Sequence, residues 1–119
     1  MILKFRAWDK NTNDMVDVKT IDLEKDGSIG CIVDYNGINL DVSECVLMQS
    51  TGLKDKNGVE FFEGDIGWDD HQEVHGQVIF ENGAFKYEWE NISEDLFEAT
   101  DDIEIVGNIH ENPELLEGN

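Results

Sequence analysis

The dipeptide Asn82-Gly83 constrains this chain more than any other feature. Before it, Val74 to Phe80 alternates; after it, Phe85 to Trp89 does the same. Asn-Gly between two alternating runs is the strongest short-range signal for a hairpin, because both residues accept the left-handed backbone that a tight turn needs. In the outgoing run, Phe85, Tyr87 and Trp89 fall on one face, with Lys86, Glu88 and Glu90 on the other. A period of two excludes a helix here and predicts an aromatic core face opposite a charged, solvated one.

The same punctuation recurs along the chain. Ile2 to Trp8 reads as a strand with Leu3, Phe5 and Ala7 on one face, and Asp9 to Asp14 as a polar turn. Met15 to Leu23 reads as a second strand, Asp26-Gly27 as a turn, and Ile29 to Tyr35 as a third strand ended by Asn36-Gly37. Ile38 to Val42 and the apolar run Cys45 to Met48 complete a small meander. Val59 to Phe62, then Ile66 to Trp68 after Glu63-Gly64-Asp65, add two more strands. Asn91 to Thr100 holds a helix candidate. Asn91 or Ser93 would cap it, Ile92 and Phe97 would form a hydrophobic staple, and Leu96 and Phe97 would anchor it to the sheet. Ile103 to Ile109 is the closing strand, and Asn112-Pro113 starts a helical turn. The expected fold is mainly β. A small N-terminal β-rich (α+β) part spans 1–55. An SH3-type β-barrel with one short helix and a C-terminal extension spans 56–119, since about 60 residues with five strands suit such a barrel.

Charge separates these parts. The net charge is −20 over 119 residues. Residues 1–55 carry six Lys/Arg against ten Asp/Glu, a balance of −4; residues 56–119 carry two against eighteen, a balance of −16. Such a surface repels phosphate backbones, so direct nucleic-acid binding is not expected, while a basic protein partner is. A hydrophobic fraction of 39% suffices for a core. No run approaches the roughly 18 apolar residues of a membrane helix, and the start lacks the pattern of a signal peptide, so no membrane contact and a cytoplasmic location are expected. Thirteen residues separate Cys31 from Cys45, which matches neither a redox pair nor a zinc knuckle; both are expected as small buried hydrophobes, with a disulfide left open as structurally incidental.

Chemistry-bearing patterns are sparse. In Asp69-Asp70-His71-Gln72-Glu73-Val74-His75, the residues Asp70, His71 and His75 are the candidate metal ligands, but the HExxH order is missing and a solvated loop is the competing reading. Asp9 to Asn13 superficially matches a calcium loop, yet its sixth position is Asp14 and its twelfth is Thr20, so that reading is rejected. GxSxG, P-loop and GxGxxG motifs are absent. Trp8, Trp68 and Trp89 are expected as core or subunit-contact aromatics, with a ligand platform as the alternative reading.

The chain resembles the YopX family of phage and prophage proteins. The matching blocks, in order, are Ile2-Leu3-Lys4-Phe5-Arg6-Ala7-Trp8-Asp9, the stretch VLMQSTGLKDKNGVEFFEGDI from Val46 to Ile66, Gly76 to Phe80 with Asn82 to Phe85, and Ile105 to Leu115. The resemblance implies an SH3-type C-terminal barrel, a smaller β-containing N-terminal part and an origin in temperate phages. It supplies no catalytic, cofactor or metal-binding residues. The expected function is that of a phage accessory protein in the host cytoplasm, non-enzymatic and cofactor-free, acting through protein contacts or as a homo-oligomer. An acidic mimic of nucleic acid is the alternative, and a metal-dependent hydrolase using Asp70, His71 and His75 a remote one.

Overall fold

The structure, a computed structural model, describes residues 4–117, and it divides into two units, one running through Gln49 and the other beginning at Ser50. The sequence pattern divides the chain after residue 55. The apolar run at Cys45 extends into a ten-residue strand, Cys45–Lys54, that runs past Gln49.

The first unit is an antiparallel meander of β1 (Phe5–Asp9), β2 (Asp14–Leu23), β3 (Ile29–Asp34) and β4 (Asn39–Asp41), followed by a 3-10 turn at Val42–Glu44. β5 (Cys45–Lys54) then lies against β1 as far as Gln49, with Ala7 opposite Leu47. Ala7, Val18, Ile32, Leu40 and Cys45 form its core, with Phe5, Val16, Ile21 and Leu47 packed around them. The expected strand beginning at Ile2 is seen from Phe5; Ile2 and Leu3 lie outside the described residues. Both cysteines are free thiols. Cys45 is buried as expected, and burial raises its pKa. Cys31 is only half-buried, a correction to the expected buried hydrophobe: it sits opposite Asp22 and its thiol donates to that carboxylate at 3.4 Å.

In the second unit, β5 continues from Ser50 against β6 (Glu60–Phe62). The register jumps between Ser50 and Lys54, and side-chain hydroxyls hold the bulge. Thr51 Oγ1 donates to Phe61 O at 2.9 Å and accepts from Leu53 N–H at 3.1 Å, while Ser50 Oγ bonds to Glu60. A five-stranded antiparallel sheet follows, in the order β10-β9-β8-β7-β11: β7 (Asp65–Asp69), β8 (Val74–Glu81), β9 (Ala84–Trp89), β10 (Ile92–Asp95) and β11 (Ile103–Asn108). The hairpin at Asn82-Gly83 is as expected: both residues have positive φ, 54° and 81°, the type I′ geometry that matches strand twist. Phe61, Val78, Tyr87, Leu96, Ala99 and Ile103 form the core, with Phe85 and Trp89 against it, so the aromatic face of β9 points inward. β10 and β11 are the outer strands of this order, each laddered to one neighbour.

The predicted helix is mostly strand. Ile92–Asp95 forms β10, and α1 is confined to Leu96–Ala99. Neither Asn91 nor Ser93 caps it; Asp95 holds the cap position without a side-chain hydrogen bond. The reason is a two-residue turn at Glu90-Asn91, with Glu90 at φ 53°, which places Ile92 opposite Trp89 and sends the chain back along β9. Leu96 is fully buried, but Phe97 is 75% exposed and anchors nothing. A second short helix, α2 (Glu114–Glu117), follows Pro113.

One steric requirement sits at the centre of this sheet. Gly67 and Gly76 face each other across β7 and β8, and the Tyr87 ring lies over them. A Cβ on Gly76 would come within 2.6 Å of Tyr87 Cζ and 2.7 Å of Glu88 O; one on Gly67 would collide with Ile103 Cγ2. The missing side chains are therefore replaced by an aromatic ring from the neighbouring strand. Gly76→Ala is expected to lower unfolding free energy in urea by roughly 1–3 kcal/mol, the usual cost of forcing extra atoms into a packed core. Thermal melting of Gly76→Ala beside wild type provides the quick check, and an unchanged melting temperature would contradict this packing.

Candidate functional site

The buried polar groups of this protein are chiefly loop-forming acids and amides: Asp9, Asp34, Asp55, Asp65, Asp69 and Asn108 among the described residues. Their surroundings explain why. A carboxylate removed from water must find hydrogen-bond donors, and the unladdered N–H groups of a tight turn supply them. Asp34 Oδ1 accepts from Asn36 N–H and Ile38 N–H, both at 2.9 Å. Asp55 Oδ1 accepts from Asn57 N–H at 2.8 Å and Val59 N–H at 2.9 Å. The backbone agrees as well: Asp34 N–H donates to Ile38 O and Asp55 N–H to Val59 O, at 3.0 and 2.8 Å. Asp34-Tyr35-Asn36-Gly37-Ile38 and Asp55-Lys56-Asn57-Gly58-Val59 are thus one loop built twice, once in each unit.

A second loop type is built three times. Asp9 accepts from Asn11 N–H at 2.9 Å, Asp69 from His71 N–H at 2.8 Å, and Asn108 from His110 N–H at 3.0 Å. In each, the residue four positions on donates its N–H back to the first residue's carbonyl, at 2.8 Å in all three. The stretch resembling a calcium loop, Asp9 to Asn13, is one of these loops and connects the β1–β2 hairpin.

Asp55 does more than shape its own loop. Its Oδ2 accepts from Ile105 N–H in β11 at 2.9 Å, fifty residues away, and Lys56 N–H donates to Ile103 O at 3.0 Å. The loop thereby occupies the outer edge of β11, the side that β7 leaves unladdered.

The candidate metal ligands sit at the end of the sheet where the β7–β8 loop meets the start of β11. They do not converge. Asp70 is exposed and forms an ion pair with Lys56 Nζ at 2.8 Å. The Lys56 hydrogen bond and charge hold the Asp70 carboxyl below its ordinary range, and the same bond raises the Lys56 ammonium. His71 belongs to the loop, its Nε2 3.7 Å from Asp102 Oδ1. His75 lies in β8, its ring 4.7 Å from that of Trp68. Among the described residues, no three His, Cys, Asp or Glu side chains are arranged to hold a metal ion. Trp8, Trp68 and Trp89 are half-buried.

The acids that do crowd together are Glu94 and its neighbours. Partial burial raises the Glu94 carboxyl pKa, and the charges of Glu98, Asp69 and Asp102 raise it further. Opposite Glu94, Tyr87 is 1% exposed and its hydroxyl has no hydrogen-bond partner of good geometry. Burial first, then the Asp69 charge, pushes this phenol well above its ordinary value, against a smaller opposing effect of the Gly76 backbone. No motif marks this crowding in the sequence, because Asp69, Glu94 and Asp102 come from three different segments.

The architecture is that of a two-unit, mainly antiparallel β protein with short helices late in the chain. The profile of the YopX protein family matches residues 4–117, and the chain belongs to that family. It is similar over nearly its whole length to a solved structure, the crystal structure of protein EF1440 from Enterococcus faecalis. Identity is 33%, the TM-score is 0.80, and the match covers 98% of this chain and 99% of that one. Among curated proteins, none is similar to it. No helix among the described residues is long and apolar enough to cross a membrane.

Two outcomes test this electrostatic description. Asp55→Ala would leave three N–H groups without their acceptor, and at about 1–3 kcal/mol for each buried unsatisfied group the loss should reach about 3 kcal/mol or more. Urea unfolding monitored by tryptophan fluorescence measures it, and a loss within about 0.5 kcal/mol, the surface-substitution range, would contradict the role. For Glu94, a carboxyl whose folded pKa exceeds its unfolded one binds more protons when folded. It therefore lowers stability as pH rises through that window and has no effect below it. Glu94→Gln should raise the melting temperature at pH 7, with the gain shrinking as pH falls toward the ordinary glutamate value of 4.5 and gone below it.

Proposed function

We propose that this chain is a phage-encoded accessory protein without catalytic activity, acting in the host cytoplasm through protein contacts and self-association. The observation that carries this reading is how its ionisable side chains are used. Buried Asp9, Asp34, Asp55 and Asp69 serve backbone amides in loops, and Asp70 serves Lys56. What remains is an exposed acidic surface, concentrated in residues 56–119. Such a surface favours a basic protein partner and opposes direct contact with nucleic acid. Self-association is supported by exposed apolar side chains on the first unit, Leu23, Tyr35 and Ile38. The second unit is proposed as an SH3-type barrel; the meander β7 to β10, the intervening α1 and the return of β11 to β7 support it.

A second reading, an acidic mimic that occupies a basic site on a DNA-binding protein, is favoured by the eighteen acidic against two basic residues of 56–119. Sedimentation velocity at tens of micromolar is expected to give a dimer or larger species, and a strict monomer would remove self-association. Partner capture from host lysate separates the two readings. A mimic should release its partner at moderate salt, because exposed charges are screened beyond roughly 8 Å at physiological ionic strength. Retention through a high-salt wash would place the contact on apolar groups instead.

A further inference from the structure

The two outer strands of the five-stranded sheet are treated differently. The outer side of β11 is occupied by Lys56 N–H and the Asp55 carboxylate. Among the described residues, β10 ladders with β9 alone and no hydrogen bond to its outer side replaces a second neighbour. In a hairpin closed by the two-residue turn Glu90-Asn91, the flanking residues Trp89 and Ile92 exchange hydrogen bonds, and the alternate residues Ser93 and Asp95 direct their N–H groups away from β9. Among the described residues, nothing else bonds to those two amides. An edge with outward N–H and C=O groups is a template for an added strand.

The side chains around this edge select what can be added. Between Glu90 and Asp102 lie six acids, Glu90, Glu94, Asp95, Glu98, Asp101 and Asp102, and no Lys or Arg. Lys86 stands opposite Asp95 and is the nearest basic residue in the ladder. Ile92 and Phe97 are exposed beside them, 51% and 75% respectively. A second copy pairing through β10 would set these carboxylates against their own kind, and so would an acidic segment. A strand alternating lysine or arginine with apolar residues would meet opposite charge, apolar contact and unladdered amides together.

The geometry points to the outer edge of β10 as a docking strand for a basic, extended segment of a partner protein, which joins the sheet as an additional strand. This rests on the reading that the protein acts through protein contacts, and it specifies the surface and the partner's chemistry.

The test uses the full chain and a fluorescent ten-residue peptide alternating lysine and valine. Two controls accompany it: the same peptide N-methylated at alternate backbone amides, which keeps its charge, and a glutamate-valine peptide. Ser93→Pro is the protein variant. Proline is tolerated where an edge strand's N–H faces outward, so Ser93→Pro should melt like wild type. The lysine-valine peptide is expected to bind at low salt and the acidic one not at all. N-methylation and Ser93→Pro should each weaken binding about tenfold, the equivalent of one or two lost hydrogen bonds. Equal binding of native and N-methylated peptides, or no binding by wild type, would overturn the proposal, and neither result depends on how the variant folds. Capture of a lysate partner that Ser93→Pro leaves unchanged would overturn the docking edge while the protein-contact reading stands. Absence of both partner and self-association would overturn that reading itself.

Discussion

A single buried carboxylate, that of Asp55, holds together the parts of the second unit that are farthest apart in sequence. At 6% exposure it accepts three backbone N–H bonds: two shape the loop from 55 to 59 and one comes from Ile105. An ionised acceptor with two or three backbone donors is a strong arrangement, because each bond is charge-assisted and the remaining lone pairs are few. Its consequence is topological. β11 returns to β7 after α1, and without a neighbour on its far side it would be a bare edge. The carboxylate and the adjoining Lys56 amide take the place of that neighbour.

The same device, carboxylate to turn amide, recurs at Asp9, Asp34 and Asp69, with Asn108 as its neutral counterpart. The acidity of this protein therefore has two components. One is internal and structural, matched to backbone donors. The other is external, and most of the net negative charge lies in residues 56–119. At the border between them, Glu94 is partly buried among other acids and close to the unpartnered Tyr87 hydroxyl.

Strands were legible in the sequence wherever a period of two met a turn with Gly or Asn. Phe85 to Trp89 shows this best, since its aromatic face and its Asn82-Gly83 turn point to one structure. Legibility failed where one residue took a conformation its type disfavours. Glu90 at φ 53° makes a hairpin turn out of what reads as a helix N-terminus, and no local signal marks a glutamate for that role. The extent of β5 beyond Met48 leaves no period-two signal, because Gly52 sits in a bulge held by Ser50 and Thr51. The loop acids were half visible. The recurrence of Asp-x-Asn-Gly before a β-branched residue, at 34–38 and 55–59, is a signal that turn propensity alone does not exploit. The bond from Asp55 to Ile105 is long-range and leaves no trace in local pattern. Of the candidate ligands Asp70, His71 and His75, spacing placed the three close in sequence, while loop and strand geometry sent each to a different neighbour.

Native-state hydrogen exchange, resolved by residue, tests the central claim about Asp55 most directly. If its carboxylate closes the edge of β11, the amides of Asn57, Val59 and Ile105 should exchange only through the same opening as the β7–β11 ladder, with matching protection. Rapid exchange at Ile105, with its ladder neighbours still protected, would show an open edge and contradict the account.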